Sequence, residues 1–113
     1  MADPTQISEA LRAARELLAA GWCQGHFARD NTDYPVHYTD SAAVSYCLLG
    51  ACALVVLGEH SDYDQNHPLI KEIGIALRQA TKLHVIDWND TPGRTQAEVL
   101  AAVDATIARL ETK

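Results

Sequence analysis

An uncharged run at residues 41–58 constrains the fold of this chain more than any other feature. Its 18 positions read SAAVSYCLLGACALVVLG and contain no Asp, Glu, Lys or Arg. We predict a helix over this run, which either Thr39 or Asp40 can cap and which ends near Gly58. A helix that is apolar all round must be surrounded by protein or by lipid. The rest of the chain therefore has to enclose it.

Protein is the more plausible surrounding for this helix than lipid. A length of 18 residues lies at the lower edge of the spanning range of about 17–25 residues. Ser41, Ser45 and Tyr46 interrupt the run, and both flanks are acidic. Neither flank carries the Lys or Arg cluster that sets the orientation of a membrane span. We therefore expect no contact with a membrane.

Three amphipathic segments supply the apolar surface that encloses the central helix. They are predicted at residues 4–20, at residues 68–82, and from a capping box formed by Thr95 and Glu98 onward. Four helices in one short chain predict a mainly α fold. We expect a single domain over residues 1–113, folded as a small four-helix bundle around the buried apolar helix.

The connection at residues 22–39 is long and has no helical period. It holds four of the seven aromatic residues of the chain. A cluster of turn-forming residues at 30–33 separates two short segments, 23–28 and 34–39, which predict a β-hairpin. Pro35 then requires an edge strand. A connection this long in a compact domain indicates either a function or structure of its own.

Composition and cysteine usage narrow the classes of function. The net charge of -6 provides no basic patch for phosphates, so we expect no nucleic-acid binding. The amino terminus lacks the basic and apolar regions of a secretory signal. Three cysteines cannot pair completely within one chain. Reduced thiols in a cytoplasmic protein are the simplest interpretation.

Cysteine and histidine residues offer one candidate for chemistry. Cys23 has His26 and His37 nearby in sequence, which suggests a nucleophile with its base, and the spacing of Cys23 and His26 also occurs in zinc sites. Cys47 and Cys52 lie five residues apart, about 140° around a helix, and so face different directions. Cys47 is also predicted two turns inside the central helix. We predict no metal site and no cofactor, and interpret both helical cysteines as small buried hydrophobes.

The segment DWND, followed by Arg94, offers a second candidate. Its carboxylates Asp87 and Asp90 and the amide of Asn89 have the chemistry to hold a divalent ion or to orient a water. Turn chemistry accounts for the same residues more simply. Asn89 and Asp90 bond the backbone of a tight turn, Arg94 pairs with Asp87 or Asp90, and Trp88 covers one end of the core. Residues 83–86 before it are predicted to be extended.

Three segments of the chain together resemble a family of small uncharacterised proteins encoded by bacteria and their phages. These segments are GWCQG at 21–25, YCLLGA at 46–51, and WND at 88–90 followed by GRT at 93–95. The likeness covers roughly residues 7–110. The resemblance implies a compact, stand-alone intracellular domain and brings no established activity, cofactor or catalytic residue. A phage setting would favour a protein that binds and blocks a host factor.

The sequence favours a small non-catalytic binding protein that contacts a protein partner or another copy of itself. Residues 59–66 form a polar, acidic loop in which Tyr63 is a candidate anchor. The predicted binding residues are Trp22, Phe27, Tyr34, Tyr38, Tyr63, Asp87, Trp88, Asn89, Asp90 and Arg94. The alternative is a small enzyme or metal-binding domain that uses either the cysteine–histidine set at positions 23, 26 and 37 or Asp87 and Asp90.

Overall fold

The structure, a computed structural model, describes residues 3–58 and 62–112. Within these ranges the chain is mainly helical and carries a small three-stranded antiparallel sheet. The elements are α1 (Pro4–Ala20), β1 (Ala28–Arg29), β2 (Pro35–Val36), β3 (Ser45–Tyr46), α2 (Leu48–Leu57), α3 (Pro68–Thr81), α4 (Val85–Asn89) and α5 (Gln96–Glu111). The mainly α class is confirmed. A simple four-helix bundle is not, because a fifth helix, α4, and a small sheet stand beside the four predicted helices.

Helix α2 is the predicted central helix, but it begins later in the chain than expected. It starts at Leu48, because residues 41–42 form a turn, residues 43–44 are irregular, and Ser45–Tyr46 pair with β1 as a third strand. Cys47 is therefore the N-cap of α2, and its Sγ accepts a hydrogen bond from the N–H of Gly50 at 3.2 Å. The prediction that Cys47 lies two turns inside the helix is wrong.

The core surrounds the first two turns of α2. All six residues from Leu48 to Ala53 are buried, and the following turn is partly buried. Helix α1 packs against both α2 and α5, and α3 packs against α2 and α5. The predicted burial of the central helix is thus confirmed for its amino-terminal half. Among the residues that the structure describes, no helix has the length and apolar character needed to cross a membrane.

Local capping explains why the other helix boundaries agree with the predictions. At α1, the Asp3 carboxylate accepts from the N–H of Gln6, and the Gln6 side chain accepts from the N–H of Asp3. Thr95 and Glu98 form the same reciprocal pair at α5. Helix α3 ends at Thr81, and the φ of 68° at its C-cap, Lys82, lies in the left-handed region typical of a helix C-terminus. These signals are local, so the sequence reveals them.

The predicted hairpin is confirmed and carries an additional strand. The sheet has the order β2-β1-β3, with β1 antiparallel to both neighbours. Pro35 lies on the edge strand β2, as its missing N–H requires. Asp30 fixes the turn between β1 and β2, since its carboxylate accepts from the N–H groups of Thr32 and Tyr34 at 2.9 and 3.0 Å.

Residues 83–86 are not the extended segment predicted from their apolar character. His84 caps α4 through its Nδ1, which accepts from the N–H of Ile86 at 3.2 Å. Trp88 and Asn89, predicted in a turn-rich loop, form the last turn of this helix. A helix of five residues is too short to display a 3.6-residue period, so the pattern gave no sign of it.

Candidate functional site

The side chain of Asn89 joins three distant parts of the chain. It is fully buried at the end of α4. Its Oδ1 accepts from Trp22 Nε1 at 2.8 Å and from the N–H of Leu48 at 3.0 Å. Its Nδ2 donates to the carbonyl oxygen of Cys23 at 3.2 Å and to Asp90 Oδ1 at 2.9 Å. We call Asn89 and these four partners the Asn89 junction.

A second set of hydrogen bonds fastens the loop after α1 to the end of α4. Gln24 Nε2 donates to the carbonyl oxygens of Asn89 at 2.9 Å and Thr91 at 3.0 Å. The N–H of Gly25 donates to Asp90 Oδ1 at 2.9 Å. The predicted role of Asn89 and Asp90 in a local turn is therefore incomplete, because both side chains also bond residues more than sixty positions away.

Trp88 and Arg94 pack against each other beside the Asn89 junction. Trp88 is buried, and the Arg94 guanidinium lies over its ring at 4.1 Å from the centroid. Arg94 Nε also donates to the Trp88 carbonyl oxygen at 3.0 Å. The ion-pair partner of Arg94 is Glu98, at 3.6 Å, rather than the predicted Asp87 or Asp90. Glu98 lies in the first turn of α5, and Arg94 directly precedes Thr95, the N-cap of that helix.

A cleft with a volume of about 420 Å³ opens beside the Asn89 junction. The loop after α1, the end of β2, the N-cap of α2 and α4 each supply part of its wall. Its lining residues are Gly25, His26, Phe27, Val36, His37, Cys47, Ile86, Asn89 and Asp90. Both imidazole side chains are exposed. Apolar walls with a few convergent polar groups are typical of ligand sites, whose volumes are roughly 300–1,000 Å³.

Packed aromatic rings form the backing of this cleft. Phe27 lies 5.2 Å from Tyr63 and 6.0 Å from Tyr38, measured between ring centroids. Tyr38 is 1% exposed, and the ring of His37 stacks on it at 4.4 Å. Tyr34, in contrast, is 68% exposed and does not line the cleft. Of the predicted aromatic contact residues, Tyr38 therefore belongs to the core, Phe27 to the wall of the cleft and Tyr34 to the open surface.

The remaining predicted site residues lie outside the cleft or outside the described residues. Asp87 is exposed, and its carbonyl oxygen accepts a hydrogen bond from the Thr91 hydroxyl. Residues 59–61 of the predicted acidic loop lie outside the described residues. Sequence reasoning did not select Gln24, Val36 or Ile86. The GWCQG motif contains Gln24 and was a usable signal, whereas nothing in the sequence marks the other two.

The thiols near the cleft are held in their protonated form by burial. The Cys23 thiol donates to the carbonyl oxygen of His26 at 3.7 Å, and burial raises the pKa of Cys23. Burial also raises the pKa of Cys47 and of Cys52 to about 12 each. A protonated thiol is a weak nucleophile. In residues 3–58 and 62–112, no three His, Cys, Asp or Glu side chains are grouped as potential metal ligands.

These raised pKa values predict that alkaline solution destabilises the fold. Above the ordinary thiol pKa of 9.0 the unfolded chain loses protons that native Cys47 and Cys52 retain until about pH 12, so stability falls across that interval. The loss is about 1.4 kcal/mol per thiol per pH unit, or about 3 kcal/mol for both at pH 10. Urea unfolding at neutral pH and at pH 10 measures it. Cys52→Ala should reduce the loss at pH 10 by about 1.4 kcal/mol, and an unchanged loss would contradict a raised pKa at Cys52.

Comparison with known proteins identifies a family. The model of a family of unknown function, DUF6197, matches residues 2–109. No curated protein and no solved structure matches the chain. The matched range contains all three segments that meet at the Asn89 junction. The family match gives no activity, substrate or partner.

Proposed function

The chain belongs to the family of unknown function DUF6197, and we propose that it is a small non-catalytic binding protein whose cleft receives part of a protein partner. One observation carries the proposal: the hydrogen bonds of Asn89 join three of the four walls of the cleft, namely the loop after α1, the start of α2 and the end of α4. A site formed in advance loses little conformational entropy when it binds.

The chemistry of the walls suits a mixed apolar and polar segment. Phe27, Val36 and Ile86 provide apolar contact, while His26, His37 and Asp90 add hydrogen-bonding groups. Protein interfaces commonly insert an anchoring side chain into such a pocket. We propose that an apolar side chain of the partner enters the cleft and that polar atoms beside it bond the imidazoles and the carboxylate.

The proposal places the protein in a reducing, cytoplasmic compartment, since its three cysteines are buried and free. If the chain is encoded by a phage, as the resemblance suggests, the partner is a host protein. The enzyme alternative has less support, because the thiol at position 23 faces a carbonyl oxygen and burial raises its pKa.

Affinity capture from the native host, read by mass spectrometry, tests this function. Ile86 lines the cleft and is 36% exposed, so Ile86→Glu places a charge in the site. Ala97→Glu is the matched control, because it adds the same charge at an exposed position in the first turn of α5. We expect the wild type and the control to capture one protein at similar yield, and Ile86→Glu to lose about 90% of it. Equal capture by Ile86→Glu, with its fold intact, would contradict the proposal.

A further inference from the structure

Exposed hydrophobic side chains outside the cleft form two pairs on different elements. The large exposed hydrophobic residues of the described chain are Tyr34, Val44, Ile75, Leu83 and Ile86. Ile86 belongs to the cleft. Tyr34 and Val44 lie at the sheet, whereas Ile75 and Leu83 lie on α3 and just after it. The charges that surround the two pairs have opposite sign.

The first pair lies in an acidic patch, defined as Asp30, Asp33, Tyr34, Asp40 and Val44. Tyr34 and Val44 occupy the same end of the sheet on either side of the central strand. The N–H of Asp30 donates to the Tyr34 carbonyl oxygen, and Val44 donates to the last residue of β1, both at 2.9 Å. Asp40 begins the turn that leads to Val44, and both Asp33 and Asp40 are exposed.

Arg29, which contacts Asp33 of this patch, is largely engaged by the protein itself. Its guanidinium donates to the carbonyl oxygens of Gln24 and Asp33, each at 2.9 Å, and the side chain is only 20% exposed. It lies 3.7 Å from the Asp33 carboxylate, which remains 84% exposed. The patch therefore presents net negative charge to solvent beside two apolar side chains.

The second pair lies in a basic patch, defined as Lys71, Ile75, Arg78, Lys82 and Leu83. The first four follow the spacing i, i+4, i+7 and i+11 along α3 and its cap, so they share one face of the helix. All five residues are exposed. This face also contains Gly74, where an added Cβ would have open space around it.

The cations of the basic patch differ from the others in the described chain. The remaining described cations are Arg12, Arg15, Arg29, Arg94 and Arg109, and each binds a carboxylate or a backbone carbonyl oxygen. Lys71, Arg78 and Lys82 make no such side-chain contact within the described residues. In an acidic protein with a net charge of -6, the unpaired cations of the described residues thus lie together on one face, next to exposed apolar side chains.

We propose that the acidic patch of one copy of this chain binds the basic patch of a second copy. Each patch combines two exposed apolar side chains with charges that complement those of the other. Repeated about a two-fold axis, the contact forms twice and closes a dimer. Few residues take part, so the interface is at the small end, below about 1,200 Å² in total, and the association is weak and depends on concentration and salt. The inference goes beyond the proposed function, because it uses none of the cleft residues.

Sedimentation velocity at increasing protein concentration tests this association. About 0.15 M salt is used, because it screens the repulsion between the net negative charges of two copies beyond about 8 Å. Lys71→Gln with Arg78→Gln removes two charges of the basic patch and changes the net charge from -6 to -8. The control, Thr5→Glu with Ala97→Glu, reaches the same net charge at exposed positions in the first turns of α1 and α5, where a helix tolerates acidic residues well. We expect association of the wild type and the control, and at least about tenfold weaker association of the glutamine variant.

A mixing experiment identifies the second copy as the binding partner. Asn31→Lys, Asp33→Asn and Asp40→Lys together change the charge of the acidic patch from -3 to +1, and Lys71→Glu with Arg78→Glu changes that of the basic patch from +3 to -1. Asn tolerates the φ of 67° at position 33. Each variant alone should be monomeric, and their equimolar mixture should associate as the wild type does. Circular dichroism confirms that each variant is folded, and Ile86→Glu should associate normally.

Several results would overturn the inference. A wild type that stays monomeric at every concentration would do so, and so would a glutamine variant that associates as strongly as the control. A mixture of the two reversed variants that remains monomeric would also contradict it. Binding of the monomeric wild type to anionic phospholipid vesicles or to duplex DNA, lost in the glutamine variant, would assign the basic patch to a different partner.

Discussion

Asn89→Ala is expected to lower the free energy of unfolding by about 3–5 kcal/mol, since a buried donor or acceptor left without a partner costs about 1–3 kcal/mol. The substitution removes the acceptor of Trp22 Nε1 and of the Leu48 N–H, and it also removes the donor to the Cys23 carbonyl oxygen. Leu48 and Cys23 are buried. The substitution would therefore destabilise both the start of α2 and the loop that forms the cleft.

Two further variants separate this hydrogen bonding from side-chain volume. Asn89→Asp keeps the shape but replaces the donor with a carboxylate that faces the Cys23 carbonyl oxygen and the Asp90 carboxylate, so it should be about as damaging as alanine. Asn31→Ala makes the same change at an exposed asparagine and should alter stability by less than about 0.5 kcal/mol. Chemical denaturation measures all three. A loss below about 1 kcal/mol for Asn89→Asp would show that the junction contributes little.

Gly50→Ala should be the most damaging of the glycine substitutions in the helices, because α2 touches the loop after α1 at this position. A Cβ at Gly50 would overlap the carbonyl oxygen of Phe27 and approach its carbonyl carbon at 2.9 Å and its Cα at 3.1 Å. These are backbone atoms, and the same carbonyl oxygen accepts from the N–H of Cys47. The backbone must move apart, so we expect a loss of about 3 kcal/mol or more.

Gly74→Ala is the matched control for this substitution. Gly74 lies in the interior of α3, where an added Cβ meets no atom within 4 Å beyond the backbone of its own helix. Replacing a helical glycine with alanine at an open site stabilises by about 0.5–1 kcal/mol. The two variants should therefore shift the melting temperature in opposite directions. If both raise it, the close contact between α2 and Phe27 is not as the structure shows.

Predictions from the sequence succeed where the determining interactions are local. Reciprocal capping bonds three residues apart mark the starts of α1 and α5, and the Asp30 turn marks the hairpin. The start of α2 was mispredicted because β3 and the first turn of the helix are both uncharged. Cysteine is also an uncommon N-cap residue, so Cys47 gave no boundary signal.

The cleft could not be derived from the sequence, because it depends on bonds between distant residues. Asparagine is common in tight turns, and this alone explains its presence at position 89. The sequence therefore gave no reason to expect contacts of Asn89 with Trp22 and Leu48. The motifs indicated which segments matter, but not that they meet. Tyr38 was predicted to be a contact residue but is buried in the core. The sequence of an irregular segment does not show which rings point inward.

Hydrogen exchange of the tryptophan indole N–H groups tests the Asn89 junction most directly. The chain has two tryptophans, so a nitrogen–proton NMR spectrum contains two indole signals, and Trp22→Phe assigns them. We predict that the Trp22 indole proton is protected from exchange with D₂O in the wild type, because it is bonded to Asn89 at 2.8 Å. Protection should disappear in Asn89→Ala. Rapid exchange of the Trp22 proton in the folded wild type would contradict the junction and with it the preformed cleft.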